Sequence, residues 1–534
     1  MAISTKRWGA WAAAAIVPLA LAAGPTPAAA QKTLNVVLHA DLKVLDPIWT
    51  TADITRYYGW MVYDQLFAQD LEGGFQPQMV DNYNVSQDGL TYTFALRDGL
   101  KFHDGNPVTT ADVVQSLKRW AARDGAGQIL YKFVKDVAAV DAKTFKMTLS
   151  EPYGLVLDSI GKYASLPAFI MPKRLADTDP QVQVTEATGS GPFKFVRAEW
   201  NPGSKAVYVK NADYVPRKEA ASMFAGGKVV KVDRVEWVYM PDEQTQVSAL
   251  DKGEVDFVET PRVDLLPVLR KNSHIKIEPL DKVGNVGILR PNHLHPPFNN
   301  VKARQALLWI VNQDDYLQAI SGADMSLATK CGAILVCGTP MANETGSEAL
   351  LSKEPKAARM AKAKALMAEA GYKGEPIILL EPSDNPSLHA AGVVLTGLMR
   401  EAGLNVDQQT MEWGTLVTRR AKKEPPPAGW NIFQTSGGFS DGNPAFSIIQ
   451  AANCEKAWFG WPCDESLEKL RLDWAKAKTL DERKKIALDI QKRAMETVPW
   501  INYGQWVQPV AYRDGLKGLL VVPETVLFWN VEKG

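Results

Sequence analysis

The sequence predicts a two-lobed α/β protein in which a lobe of alternating helices and strands is inserted into a lobe built largely from strands. Three observations carry that prediction. The chain has 534 residues, too many for one hydrophobic core. Up to about residue 300 it reads mainly as short strands with a few helices. Beyond that point helices and strands succeed one another, and extended structure returns at residues 500–511.

The first thirty residues read as a secretory signal peptide. Lys6 and Arg7 form a basic start, an uncharged run of about 16 residues follows from Trp8, and Gly24 to Ala30 end in a small-x-small pattern. The apolar run is interrupted by Pro18 and is shorter than the roughly 20 residues a membrane span requires. The first lobe opens with a strand at residues 34–38. Residues 91–97 alternate as a half-buried strand does, and a helix capped by Thr110 buries Val113, Val114, Leu117 and Trp120. More strands are expected at 144–149, 193–196, 205–210 and 228–239.

In the second lobe Asn299 or Asn300 caps a helix with Ala303, Ala306, Leu307, Ile310 and Leu317 on its buried stripe. Another helix runs from about Pro355 to Gly371, and a strand follows at 376–380. Asp384 or Asn385 caps a third helix with Pro386 in its first turn and a stop at Gly403. Strands at 404–406 and 430–433 flank a short helix around Leu416, and an amphipathic helix covers 481–497. Alternation of this kind implies a parallel sheet with helices on its faces.

Composition excludes several function classes. Sixty basic residues balance sixty acidic ones, so no charge excess draws the chain to nucleic acid or to an anionic membrane. The four cysteines, Cys331, Cys337, Cys454 and Cys463, have no histidine close by. Of their three pairings the local bridges Cys331–Cys337 and Cys454–Cys463 are favoured, and no metal is expected. His293 and His295 could share a metal from one strand face, but nothing acidic completes the set and a structural or hinge use is favoured. The chain holds no H-E-x-x-H or phosphate-binding G-x-x-x-x-G-K-S/T pattern, and it is not expected to be an enzyme or to hold a cofactor.

Several segments, in order, resemble the bacterial extracellular solute-binding proteins of the peptide/nickel type, family 5. They are Leu45-Asp46-Pro47, Tyr63-Asp64-Gln65-Leu66-Phe67, the long run from Thr91 through Phe102-His103-Asp104-Gly105 to Asp112, Gly189-Ser190-Gly191-Pro192-Phe193, Asn211-Ala212-Asp213-Tyr214, residues 249–256, residues 301–307 and Ala402-Gly403-Leu404-Asn405-Val406. The resemblance covers nearly all of the chain after residue 30. It implies a periplasmic-binding-protein type II fold with an extra subdomain in the first lobe. Residues 31–69, 201–291 and 500–534 would form the sheet domain of that lobe, 70–200 the inserted subdomain, and 292–499 the second lobe. It also implies a periplasmic, monomeric receptor that closes on its solute by hinge rotation and docks on an ABC permease served by ATPase subunits.

The most characterised members of this family bind extended peptides, pairing the free amino group with an acidic side chain of the second lobe. Residues 437–444 resemble that loop and offer Asp441 as the acid; an ordinary Asp-Gly turn is the other reading. Trp49, Tyr57, Trp60, Trp413, Phe439, Tyr503 and Trp506 stand near strand ends or hinge segments, where they would either wall a binding site or pack in a core. Trp49, Trp413 and Trp506 are the favoured wall residues, with Phe439 and Tyr503 beside them. Two other functions stay open: an exported hydrolase, and a chemosensory receptor for an aromatic or opine-like solute.

Overall fold

The computed structural model describes residues 1–5, 8–9, 31–322, 324–383, 385–477 and 479–534. The expected signal peptide therefore lies almost wholly outside the described residues, as does Asp384, one of the two candidate helix caps.

The first lobe is built on a seven-stranded sheet. Its strands run in the order Ile275–Glu278, Val510–Arg513, Phe257–Val258, Thr33–Val37, Arg234–Val238, Lys205–Lys210 and Phe193–Phe195. Thr33–Val37 is central and pairs in parallel on both sides, with Leu34 and Val36 fully buried. Burying such side chains supplies about 1.5–3 kcal/mol each. An antiparallel four-stranded sheet (Val80–Val85, Thr91–Leu96, Thr144–Leu149, Val134–Ala139) forms the core of the inserted subdomain, where the rings of Phe94 and Phe145 stack 4.8 Å apart. Helix Thr110–Arg123 packs against it through Val113, Leu117 and Trp120. The N-cap is Thr109 and not Thr110. Asp112 accepts from the Thr109 backbone N–H at 2.8 Å, while the Thr110 hydroxyl is drawn away to the Asp141 carbonyl.

The second lobe carries a six-stranded sheet ordered Ala328–Thr329, Ile501–Trp506, Asn285–Pro291, Ile432–Gly437, Ile377–Pro382 and Val406–Met411. Ile377–Pro382 runs parallel to both of its neighbours, but the remaining pairings are antiparallel. The sheet is thus mixed, where helix–strand alternation implied a parallel one. The antiparallel strands Asn285–Pro291 and Ile501–Trp506 are the segments by which the chain enters and leaves the lobe, and they need no crossover helix. The helices follow the capping signals. Asn300 accepts from Lys302 N at 2.9 Å, Asn385 accepts from Leu388 N at 3.1 Å, and Gly371 and Gly403 stop their helices at φ +84° and +80°.

Strand pairing sets three boundaries differently from the expectation. Phe193–Phe195 joins the first-lobe sheet, whereas Asn285–Pro291 and Ile501–Trp506 belong to the second. The chain consequently crosses between lobes twice, after Glu278 and before Val510. In each lobe the two crossing strands are antiparallel neighbours, so one two-stranded ribbon runs through both sheets and is interrupted at residues 279–284 and 507–509. This is the geometry of a hinge. Disulfides join Cys331 to Cys337 and Cys454 to Cys463, the local pairing. No helix among the described residues is long and apolar enough to cross a membrane.

Candidate functional site

Between the lobes lies a cleft of about 2240 Å³. Its walls come from the strand ends and loops of both sheets, from the hinge and from the inserted subdomain. On the second-lobe side the floor is the turn that follows Ile432–Gly437. There Phe439–Gly442 form a single 3-10 turn, and Asp441 folds back to accept from Gly438 N at 3.1 Å and from the Ser447 hydroxyl at 2.6 Å. Burial pushes the Asp441 carboxyl above its usual range, against the pull of those two hydrogen bonds. Nearby Asp53 raises it further, while Arg56 opposes.

Facing this turn is the C-terminal segment of the first lobe. Glu524 adopts φ +59° and directs its carboxylate at Ser440, accepting from the backbone N–H at 2.6 Å and from the hydroxyl at 3.1 Å. Arg56 donates to the Glu524 carbonyl at 2.6 Å and pairs with Asp53 at 3.1 Å. Burial raises the Glu524 carboxyl to about 7, with Arg56 opposing and Asp441 adding to the rise. Asp441, Glu524 and Asp53 thus surround one guanidinium, and the excess charge of the site is negative.

A second group stands on the first-lobe wall. Glu259 holds His39 Nδ1 at 2.8 Å and accepts from the Tyr57 hydroxyl at 2.7 Å. Burial pulls the His39 imidazole down, but the charge and hydrogen bond of Glu259 override it and the net shift is upward.

The structure separates the expected site residues. Asp441, Trp413, Phe439 and Trp506 line the cleft, as does Tyr57. Trp49 lies outside the lining, with its indole N–H on the Gln181 carbonyl at 2.9 Å. Tyr503 is fully buried in the second lobe, stacked between Tyr316 and Trp506 with its hydroxyl on the Thr435 carbonyl. Trp60 is a core residue of the first lobe, against Phe224. His293 and His295 turn to separate carbonyls, those of Pro499 and Lys423. Glu524, Arg56, Glu259, His39 and Arg420 line the cleft without having been expected there. Glu524, Glu259 and His39 meet their partners from segments far away in the sequence, so no spacing signal marks them, and Arg56, one helical turn from Asp53, meets Glu524 in the same way.

The comparisons agree with this architecture. The family model "Bacterial extracellular solute-binding proteins, family 5 Middle" matches residues 74–455. A probable peptide ABC transporter periplasmic-binding protein, y4tO, of Sinorhizobium fredii is 40% identical over 98% of this chain and 97% of its own length. The glutathione-binding protein GsiB of Pectobacterium atrosepticum is 27% identical over 97% of this chain and 96% of its own. A dipeptide-binding protein from Pseudoalteromonas sp. SM9913, solved with Met-Leu, superposes with a TM-score of 0.77 over 94% of this chain and 100% of its own at 18% identity, which is a likeness of fold. Nothing in these comparisons supports a hydrolase. With a family model spanning most of its length and a full-length relative at 40% identity, this hinged two-lobed chain belongs to the bacterial extracellular solute-binding proteins of family 5.

Proposed function

We propose that this chain is the periplasmic substrate-binding component of an ABC importer, and that its solute is a short peptide or a related compound bearing a free ammonium group. The receptor takes the solute into the cleft and presents it to a membrane permease, with ATP hydrolysis supplied by separate subunits. One observation carries the choice of solute: Asp441 stands on the cleft wall within the field of Glu524 and Asp53, with Arg56 as the opposing charge. A bound ammonium neutralises part of that excess and adds a charge-assisted hydrogen bond. Because it touches both lobes at once, the solute stabilises the closed state. Export by a cleaved signal peptide completes this reading.

Calorimetry with di- and tripeptides, each offered with a free and with an acetylated amino terminus, tests the proposal. Free amines are expected to bind and acetylated partners to bind poorly. Asp441→Ala should remove about 1.5–3 kcal/mol of affinity for the free amines. Equal affinity for both forms, or an Asp441→Ala variant that binds as the parent does, would sink the amine-pairing role.

A further inference from the structure

Two adjacent glycines lead into the turn at the cleft floor, and each has a carboxyl group where a side chain would stand. A Cβ on Gly437 would overlap Oδ2 of Asp441, and one on Gly438 would lie 2.6 Å from Oε1 of Glu524. Asp441 belongs to the second lobe and Glu524 to the C-terminal segment of the first, so the two acids reach one dipeptide from opposite lobes. Few other charged groups face the pair. Helix Asp53–Val62 supplies Asp53 and Arg56, whose guanidinium is tied to Asp53 at 3.1 Å and to the Glu524 carbonyl at 2.6 Å and stands 3.8 Å from the Glu524 carboxyl. The hinge supplies Asp281, which accepts from the backbone N–H groups of Glu524 at 3.0 Å and of Val283 and Gly284 at 2.9 Å. The inserted subdomain supplies Tyr163, whose hydroxyl is kept neutral by burial. Beyond Arg56, His39 and Glu259 are paired with each other. Four carboxyl groups thus face one guanidinium.

We propose that Asp441 and Glu524 act as one carboxyl pair, which holds a proton while the cleft is empty and releases it to solvent when an ammonium group of the solute takes that place. Two carboxylates brought together from opposite lobes repel one another, and a proton or a cation between them removes the repulsion. The hydrogen bonds accommodate the protonated form. Oε1 of Glu524 keeps the Ser440 N–H at 2.6 Å, and a proton on Oε2 is within reach of the Ser440 hydroxyl oxygen at 3.1 Å. Because the two groups are coupled, the proton belongs to the pair and to neither residue alone. Burial, with the Asp441 charge adding and Arg56 opposing, holds the Glu524 carboxyl at about 7, where such an exchange proceeds at neutral pH.

This coupling deepens the peptide reading and rests on it. The ammonium group enters as one positive charge and the proton leaves as another, so the net charge of the cleft floor is the same in both states. Protons therefore compete with the solute. Below about pH 7 the receptor must give up a proton for each ammonium group it takes, and affinity falls as the solution becomes more acid. An empty cleft that has lost its proton opposes closure, because neither positive charge is present where the two lobes meet at this turn. Gly437-Gly438 is the sequence feature that admits the pair, since a side chain at either position would displace one of the acids.

The test is calorimetry of Ala-Phe and Ala-Ala-Phe binding to the parent and to Glu524→Gln, in phosphate, MES and ACES buffers, whose heats of ionisation differ. The slope of observed enthalpy against the ionisation heat of the buffer gives the number of protons released. The parent is expected to release about 0.9 proton at pH 6 and about 0.5 at pH 7 beyond the number found for Glu524→Gln. Taking the difference removes the amino group of the peptide itself, which ordinarily titrates at about 7.7–8.0. Affinity of the parent should also rise roughly 50-fold from pH 5 to pH 7, while that of the variant stays nearly level. Thermal melting checks that the variant folds, and if it does not, the buffer and pH series on the parent decides alone. Parent enthalpies that are the same in all three buffers at pH 6 would overturn the coupling and leave the peptide reading standing. An equal proton count in Glu524→Gln would assign the proton to another group and also overturn it. Failure of both peptides to bind either protein at any pH would overturn the peptide reading and this inference with it.

Discussion

Glu524 shows what single residues of this cleft do that sequence cannot announce. It arrives on the C-terminal segment, accepts from Ser440 of the second lobe, and is held up to about 7 by burial. A carboxyl whose folded value lies above its ordinary 4.5 binds more protons in the folded chain than in the unfolded one. Its contribution to stability is therefore full below about 4.5 and is lost as pH rises through about 7. Glu524→Gln keeps the acceptor oxygen for Ser440 and removes the titration. Melting curves at pH 5 and pH 8 should show the parent losing stability relative to the variant, by up to about 3 kcal/mol. A constant difference between the two proteins across that range would exclude Glu524 as the titrating group. The residues that were legible behave differently. Asp46 of Leu45-Asp46-Pro47 makes a buried two-pronged pair with Arg119 at 3.1 and 2.7 Å. Asp64 holds Lys228 at 2.7 Å, and His103 lies on the Gly191 carbonyl at 3.1 Å. These first-lobe motifs tie that lobe together, whereas Glu524 and Glu259 lie outside any motif. Asp441 was offered by the resemblance of residues 437–444 to the family's acid-bearing loop, and it stands on the cleft wall.

At the scale of elements, most expected helices keep close to their capping signals, but Asp53–Val62, Glu243–Lys252 and Glu465–Lys476 were not expected, and sheet membership was read less well. Caps and stops are local chemistry, and Asn300, Asn385, Gly371 and Gly403 act as their residue types dictate. Strand partners are chosen by the whole chain. Residues 404–406 were expected as a strand, but the strand is Val406–Met411, whose polar Asp407, Gln408 and Gln409 hid an edge strand paired on one side only. The hinge was hidden for the same reason, since its two halves lie more than two hundred residues apart in the chain. Gly284 is its tightest point. It sits at φ +72°, and a Cβ there would stand 2.3 Å from the Trp506 carbonyl oxygen on the opposite crossing. Gly284→Ala imposes about 1–2 kcal/mol of backbone strain on this conformation, before the contact with Trp506 is counted. A corresponding loss of solute affinity, roughly 5- to 30-fold, is expected in calorimetry. An unchanged affinity would show that the liganded hinge does not use this conformation.

For the whole molecule, closure depends on where the lobes meet away from the hinge as well as on the solute. Lys476 of the second lobe lies 3.9 Å from Glu151 and above the Phe133 ring of the inserted subdomain, and the exposed Gly154 faces the Ala477 carbonyl and Arg483 across the gap. A Cβ at Gly154 would stand 3.6 Å from that carbonyl oxygen, which is ordinary contact, so the space ends about one methyl group from the glycine. Gly154→Trp places a large ring in this seam from an exposed position, against Ala477 and Arg483. Each lobe should fold as before, and the unliganded protein should melt at nearly the parent temperature. The closed state, however, requires the seam to shut. If the variant lowers the closed fraction, apparent affinity for every solute falls by that same fraction, whatever contacts the solute makes. This separates the wedge from Asp441→Ala, which acts on one chosen chemical group of the solute. Small-angle scattering should show the parent contracting when saturated with its solute and the Gly154→Trp protein contracting less at equal occupancy. A variant that binds and contracts as the parent does would mean that the seam is not part of closure, and that the hinge and the solute alone hold the two lobes together.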